Sequence, residues 1–340
     1  MIVYFLLLVF SIVTLFIHSC TKNKIWGMLP FVGMAFVGGF RYNVGVDYPA
    51  YEWIYDYVNE SPDNNDYIEV GFRVLMRFVN EKGGTVQLVF LIASVLTAFF
   101  YYHFIKDNSV NFELSTMLYL CLGPFYFSSF NGVRQALAIS IVLYATKYCG
   151  KDNVKYIILV LFATTIHTSS ILMLLLMFST KLKENYLLYA LGTYIVGAIA
   201  TNSNIVNMIL NRSSSYSKYI DHPGNYWDKS YLLFAAIIIF AFLFRPIWKR
   251  FDKKYMCLLA IVLALIAVGY GHEQYSMLMT RFIMWGSPIF IILIPQMVSM
   301  FKQKKELGVI ICFVSILYYF NVARNGANMY PYMFNFKLLQ

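Results

Sequence analysis

VKYIILVLFATTIHTSSILMLLLMFS, residues 154–179, is apolar at both ends and polar in the middle. Whether it crosses a bilayer once or turns back decides the topology of the whole chain. Its length suits a single span of roughly 20 residues, yet His167, Thr168, Ser169 and Ser170 fall at the centre, where polar side chains are costly. Lysine decides between the readings, because basic residues concentrate in short cytoplasmic connectors. A single crossing puts Lys147, Lys151 and Lys155 on the opposite side from Lys253, Lys254, Lys302, Lys304 and Lys305; entering and returning puts them all together. The sequence therefore predicts a re-entrant or short-helix hairpin with His167 at its tip. Each half, at about 1.5 Å per residue, is too short to cross a core of about 30 Å alone.

Outward from that hairpin, apolar runs recur at 2–17, 25–40, 84–105, 112–128, 132–147, 186–200, 231–247, 255–271, 279–299 and 307–323. With 59% hydrophobic and only 13% charged residues and a mean hydropathy of +0.60, the composition is that of a multi-pass membrane protein. The expected fold is all-α: a polytopic bundle of about 10–12 transmembrane helices, counting the hairpin, in a single integral membrane domain, 1–340. The first run, Ile2 to Ile17, has no basic residue before it and no small-residue cleavage pattern after it, so it reads as a retained span. Cys20, Cys121, Cys149, Cys257 and Cys312 show no CxxC or metal-ligand spacing. The formal charge of +10 is scattered among connectors, which fits membrane orientation and gives no patch for nucleic acid.

Lysine and arginine sort to opposite ends of these runs. With both termini outside, fourteen of the eighteen lysines are cytoplasmic, whereas Arg41, Arg73, Arg77, Arg134, Arg212, Arg281 and Arg324 are outside and only Arg245 and Arg250 inside. Lysine orients the chain, so the outward arginines need another explanation. A guanidinium is permanently charged and forked to suit phosphate or carboxylate, which makes diphosphate recognition an economical one. Snorkelling and pairing with outer acids is the plainer alternative for any single arginine.

Two outer loops, 41–83 and 201–230, hold most of the remaining polarity. The first carries eight acids against four bases. Within it Ile68, Phe72, Leu75, Met76 and Val79 recur at helical spacing, with Glu69, Arg73 and Arg77 four apart on another face, as in an amphipathic interfacial helix. The second is rich in Ser, Asn and Tyr, side chains that suit sugar rings or an interfacial aromatic belt equally well.

GGFRYNVGVDYPAY (38–51), IEVGFRVLMRF (68–78), FNGVRQALAIS (130–140), HTSS (167–170) and RFIMWGSPIF (281–290) follow one another along the chain. In that order the chain resembles the EpsG-type, Wzy-like polymerases of bacterial polysaccharide assembly. The resemblance implies a GT-C-like glycosyltransferase architecture in the bacterial plasma membrane, with its active site on the extracytoplasmic face. It implies transfer of a growing glycan from undecaprenyl diphosphate to an incoming lipid-linked repeat unit, beside a chain-length regulator and a flippase. Such chemistry needs a stabilised departing diphosphate, a positioned and deprotonated acceptor hydroxyl, and two carriers held together. Arg134, flanked by Asn131 and Gln135, and Arg281 are the expected diphosphate ligands, with Arg41, Arg212 and Arg324 as further binding residues. Asp47 is the first candidate base or acceptor-orienting group, followed by Glu69 and His167. Tyr48 and Tyr51 are candidate sugar platforms. Asp47 alternatively pairs with Arg41 or caps the helix that starts near Tyr48, His167 is alternatively a hydrogen-bonded core histidine, and the tyrosines alternatively belong to the belt. No phosphate-cradling glycine loop and no DxD pair occurs in the outer loops, so neither a cofactor nor a metal is expected. A flippase or other transporter, and a glycan ligase or acyltransferase using the same outer site, are the competing functions. Against a transporter, no repeat relates the halves of the chain.

Overall fold

A computed structural model describes residues 1–60, 68–203 and 230–339 of the chain. They pack as two compact units, one formed by Met1–Leu174 with Ile294–Gln340 and the other by Leu175–Leu293. In the first unit lie α1 (Ile2–Thr21), α2 (Lys24–Gly39), the short strand β1 (Arg41–Tyr42), α3 (Tyr48–Glu60), α4 (Val70–Glu81), α5 (Val86–Asn108), α6 (Phe112–Cys121), α7 (Ser128–Asn131), α8 (Val133–Ala145) and α9 (Asn153–Ile166). A 3-10 segment, Thr168–Lys181, leads to α10 (Tyr186–Asn202), α11 (Ser230–Leu243), α12 (Arg245–Trp248), α13 (Lys253–Gly271), α14 (Ser276–Ile283) and α15 (Phe290–Val298). The chain re-enters the first unit within α15, at Ile294, and continues with α16 (Lys304–Asn325) and β2 (Met333–Phe334).

The protein is all-α and multi-pass. Among the described residues four helices, α1, α5, α13 and α16, are long and apolar enough to cross a membrane. Glu273–Ile283 and Ser287–Val298 meet that test only as a pair, bent by 51° in the manner of a broken span or a re-entrant loop, and seven apolar helices of 10–17 residues accompany them. Full-length spans are fewer than the count of apolar runs because several runs break. The run 112–128 stops at Cys121, just before Gly123 and Pro124, and proline cannot continue a helix without losing a hydrogen bond. The run 279–299 bends beside Gly286, where an added Cβ would lie 3.1 Å from Leu258 Cγ and closer still to Val262.

The hairpin takes the form the lysines require. Tyr156 Oη donates to Met173 O at 2.6 Å, although seventeen residues of straight helix would separate them by about 25 Å. The chain therefore doubles back, with His167 in extended geometry (φ −151°, ψ 113°) between α9 and the 3-10 segment.

Within the first unit the helix ends sort as the sequence predicts. His18 Nδ1 lies 3.0 Å from Glu113 Oε1 and Lys147 Nζ lies 3.6 Å from Asp107 Oδ2 at the lysine-rich end. The C-terminal tail folds over the opposite end: β2 pairs antiparallel with β1, Asn335 N donates to Phe40 O at 2.8 Å, and Thr85 N donates to Leu338 O at 2.9 Å. Phe334 and Phe336 stack with centroids 5.4 Å apart and lie against Phe36. Arg41 is the hub beneath the tail. Only 1% exposed, it donates from Nε to Val44 O and from Nη2 to Phe130 O, each at 3.2 Å, and from Nη1 to Gly38 O. Its guanidinium also lies 4.4 Å from the Phe90 ring centroid and 5.0 Å from that of Phe130, a favourable cation–π arrangement.

In the second unit Tyr186 stacks on Phe242 at 5.7 Å and Phe234 on Phe290 at 4.4 Å. Val268, Tyr275, Leu278 and Met279 form a buried cluster between α13 and α14.

Arg41→Lys keeps the charge and removes the planar fork, leaving buried carbonyls without donors. The expected result is a loss of about 2–3 kcal/mol, seen as a lower thermal midpoint of the detergent-solubilised protein.

Candidate functional site

Glu69 stands at the N-cap of α4 but makes no side-chain cap bond to its own helix. Its carboxylate reaches across to two other segments instead. Oε2 accepts from Arg134 Nη1 in the first turn of α8. Oε1 accepts from the Thr168 backbone N at 3.1 Å and its Oγ1 at 3.4 Å. His167 Nδ1 lies 3.3 Å from the same Oε1, at ion-pair distance although outside straight hydrogen-bond geometry. Thr168 opens the 3-10 segment, where the first N–H groups of a helix have no internal acceptor, so a carboxylate is the natural partner. The hairpin tip and the start of α8 are thus held by the two oxygens of one side chain.

The cluster is sheltered but open. Side-chain exposures are 17% for Glu69, 25% for Arg134 and 16% for His167, and Thr168 is exposed. Burial alone would raise the Glu69 pKa, but the His167 imidazole and the Arg134 guanidinium outweigh it and hold the carboxyl near 2, against an ordinary value of 4.5. A carboxylate this acidic is a poor proton acceptor near neutral pH. Glu69 therefore acts as a fixed negative charge that positions its neighbours.

Local sequence explains the close approach. An added Cβ at Gly71 would lie 2.8 Å from Thr165 O and nearer still to its Oγ1, so only glycine lets the first turn of α4 touch the last turn of α9. On the other flank, Gly45 has φ +94°, and a Cβ there would lie 2.7 Å from Phe130 O. That permits Val46 N to donate to Asn131 Oδ1 at 2.6 Å, which brings the loop before α3 onto the turn before α8. Tyr51, one turn into α3, then accepts from Arg134 N at 3.4 Å through its Oη. Four of the five sequence segments singled out for their chemistry, around residues 41–51, 69, 131–135 and 167–168, meet in this way.

Individual residues take different parts. Arg134, Glu69, His167 and Tyr51 converge, and Asn131 braces the loop beside them. Asp47 is half-buried at the start of α3, and its carbonyl accepts from Tyr51 N at 3.1 Å. Gln135 is buried one residue beyond Arg134. Arg41 and Tyr48, both expected among the substrate-binding residues, are scaffold: Arg41 serves backbone carbonyls, and Tyr48 is fully buried, donating from Oη to Gln87 Oε1 at 3.2 Å. Arg281 lies half-buried in the last turn of α14 in the second unit. Arg324 is exposed near the end of α16. Arg212 lies outside the described residues. Sequence reading missed Thr168 as a donor and Gly71 and Thr165 as the contact that allows the cluster. A glycine two residues after Glu69 was the available signal. Among the described residues no group of His, Cys, Asp and Glu could hold a metal ion.

The EpsG family profile matches residues 24–334, a stretch that includes every residue of this cluster. No curated protein and no solved structure matches the chain.

The depressed Glu69 pKa fixes a pH dependence. Its stabilisation is fully present above the unfolded value near 4.5 and lost as pH falls through about 2. The difference in melting temperature between the parent protein and Glu69→Gln should therefore be constant from pH 8 to about pH 5 and vanish between about pH 4.5 and 2. Gly71→Val should separate α4 from α9. Cysteine crosslinking between positions 69 and 168 should then fall below that in the Gly71 parent carrying the same two cysteines.

Proposed function

The chain belongs to the EpsG family, which is linked to exopolysaccharide biosynthesis, and on that premise we propose that it is a membrane glycosyltransferase acting as a polysaccharide polymerase. It moves a growing glycan from undecaprenyl diphosphate to the terminal sugar of an incoming lipid-linked repeat unit, at the end of the bundle where Arg134 and the hairpin tip lie. That end faces away from the lysine-rich connectors, which makes it the extracytoplasmic side. The observation that carries the reading is the single Glu69 carboxylate bridging Arg134 and the His167–Thr168 tip.

The acceptor hydroxyl oxygen forms a bond to the anomeric carbon as the bond from that carbon to the diphosphate oxygen breaks. The hydroxyl proton passes to His167, and the bonding electron pair leaves on the diphosphate. Glu69 beside Nδ1 leaves Nε2 as the basic nitrogen, the logic of a carboxylate orienting an imidazole. Arg134 uses one terminal nitrogen on Glu69, and its Nε has no hydrogen-bond partner among the described residues. That nitrogen is buried, but the open quarter of the side chain and its permanent charge suit the departing diphosphate. Asp47, at the start of the helix that carries Tyr51, orients the acceptor sugar. A donor that brings its own diphosphate leaving group needs no nucleotide-binding domain.

The test is incubation of purified protein with a lipid-linked repeat unit, followed by gel separation of products by chain length. The parent should give a ladder. Arg134→Ala and His167→Ala should leave single repeat units, with protein levels in the membrane unchanged and rates lowered by about 10²–10⁴-fold. Normal ladders from both variants would overturn the assignment. In cells lacking this protein but retaining their ligase, single repeat units on the surface support polymerisation, whereas a surface bare of the glycan points to ligation.

A further inference from the structure

We propose that the first unit carries a binding site for one anionic phospholipid of the leaflet facing the lysine-rich connectors, in a groove between α1, α6 and α16. The groove has a volume of about 790 Å³, within the roughly 300–1,000 Å³ typical of small-ligand sites. Its walls are apolar, from Leu15 and Phe16 of α1, Met117 of α6, and Val309, Phe313 and Ile316 of α16, and Lys304 and Lys305 stand at its mouth.

Its shape follows from how the two outer helices meet. At the arginine-rich end α1 and α16 are pinned together: Tyr319 Oη donates to Tyr4 O at 2.9 Å, and Tyr4 Oη donates to Met329 O at 2.7 Å. Toward the other end they part, and Leu114, Leu118 and Val298 fill the floor beneath Leu307, Ile311 and Cys312. The wedge runs along α16 from Lys304 to Ile316, about 18 Å of helix. That is close to one leaflet's share, about 15 Å, of a hydrocarbon core about 30 Å thick. A partner transmembrane helix must cross both leaflets, and the Tyr4–Tyr319 contact blocks its path. An acyl chain entering from the lysine-rich side ends where the groove ends.

Charge then selects the head group. Glu113, the acid on the groove wall, is engaged by His18 at 3.0 Å and Lys22 at 3.6 Å, so its charge is already answered. Lys304 and Lys305 are exposed and take part in no ion pair among the described residues. Two cations above an apolar slot fit a phosphodiester above acyl tails, in the way basic pockets between helices hold anionic lipids. The site stands at the opposite end of the unit from Glu69 and does not depend on the glycosyltransferase reading.

The experiment is native mass spectrometry of the full chain in detergent, titrated with dioleoylphosphatidylglycerol, dioleoylphosphatidylcholine or undecaprenyl phosphate. The expected result is one phosphatidylglycerol adduct that forms at least tenfold more tightly than either competitor. Lys304→Gln with Lys305→Gln should weaken it about tenfold or more, and Gly308→Trp, which fills the slot, should remove it. Lys302→Gln, which deletes a nearby charge that does not line the groove, should leave it unchanged, and all variants should elute as the parent does on size exclusion. Equal binding of the two phospholipids, equal weakening by Lys302→Gln, or preference for undecaprenyl phosphate would each overturn the proposal.

Discussion

A helix that breaks must find partners for the backbone groups it frees, because the first N–H groups of the segment that follows have no acceptor of their own. At residue 167 that requirement is met by one carboxylate. Glu69 accepts from the first N–H of the returning 3-10 segment and from the guanidinium of Arg134, so the hairpin tip and the start of α8 are fixed to the same side chain. The geometry of the site follows from this constraint. His167 is extended because the helix ends there, with its side chain largely sheltered, and Arg134 is held in place by an acid that stays ionised even when sheltered. In a setting of low dielectric, losing either charge would leave the other uncompensated.

The two arginines near this end show how one residue type serves two purposes. Arg41 is enclosed by aromatic rings and by the carbonyls at the end of α2, in the following loop and in α7. It is an internal cross-link of the scaffold, satisfying acceptors that a tight turn exposes. Arg134 has a carboxylate partner and a quarter of its side chain open, so it can exchange part of its hydrogen bonding with an anion from outside. Fork geometry suits guanidinium to both tasks, and burial decides between them.

At the other end of the unit the charges are of a different kind. Lysines there sit on exposed connectors and at the mouth of an apolar groove, where a hydrated, mobile ammonium is at ease beside lipid phosphates. Around the hairpin tip the arginine is sheltered and ion-paired, whereas the lysines at the groove are exposed and take part in no ion pair among the described residues.

The fold class and the hairpin were legible in the sequence. Hydropathy alone marks the apolar runs, and the lysines flanking 154–179 require an even number of passages, which the contact of Tyr156 with Met173 bears out. The polarity of HTSS located the tip for the same energetic reason that the tip needs partners. Long-range pairing was not legible. Glu69 is 65 residues from Arg134 and about a hundred from the tip, and nothing in local spacing distinguishes it from Asp47 as the acid that meets them. Gly71 and Gly45 become meaningful only once Thr165 and Phe130 are seen beside them. Likewise the C-terminal tail carries no motif, yet it closes the end of the bundle by pairing with β1 and Thr85. Sequence determined which segments prefer lipid, because that is a sum over single residues. Tertiary structure decided which charges meet and which are buried, because those depend on contacts between segments that no local pattern encodes.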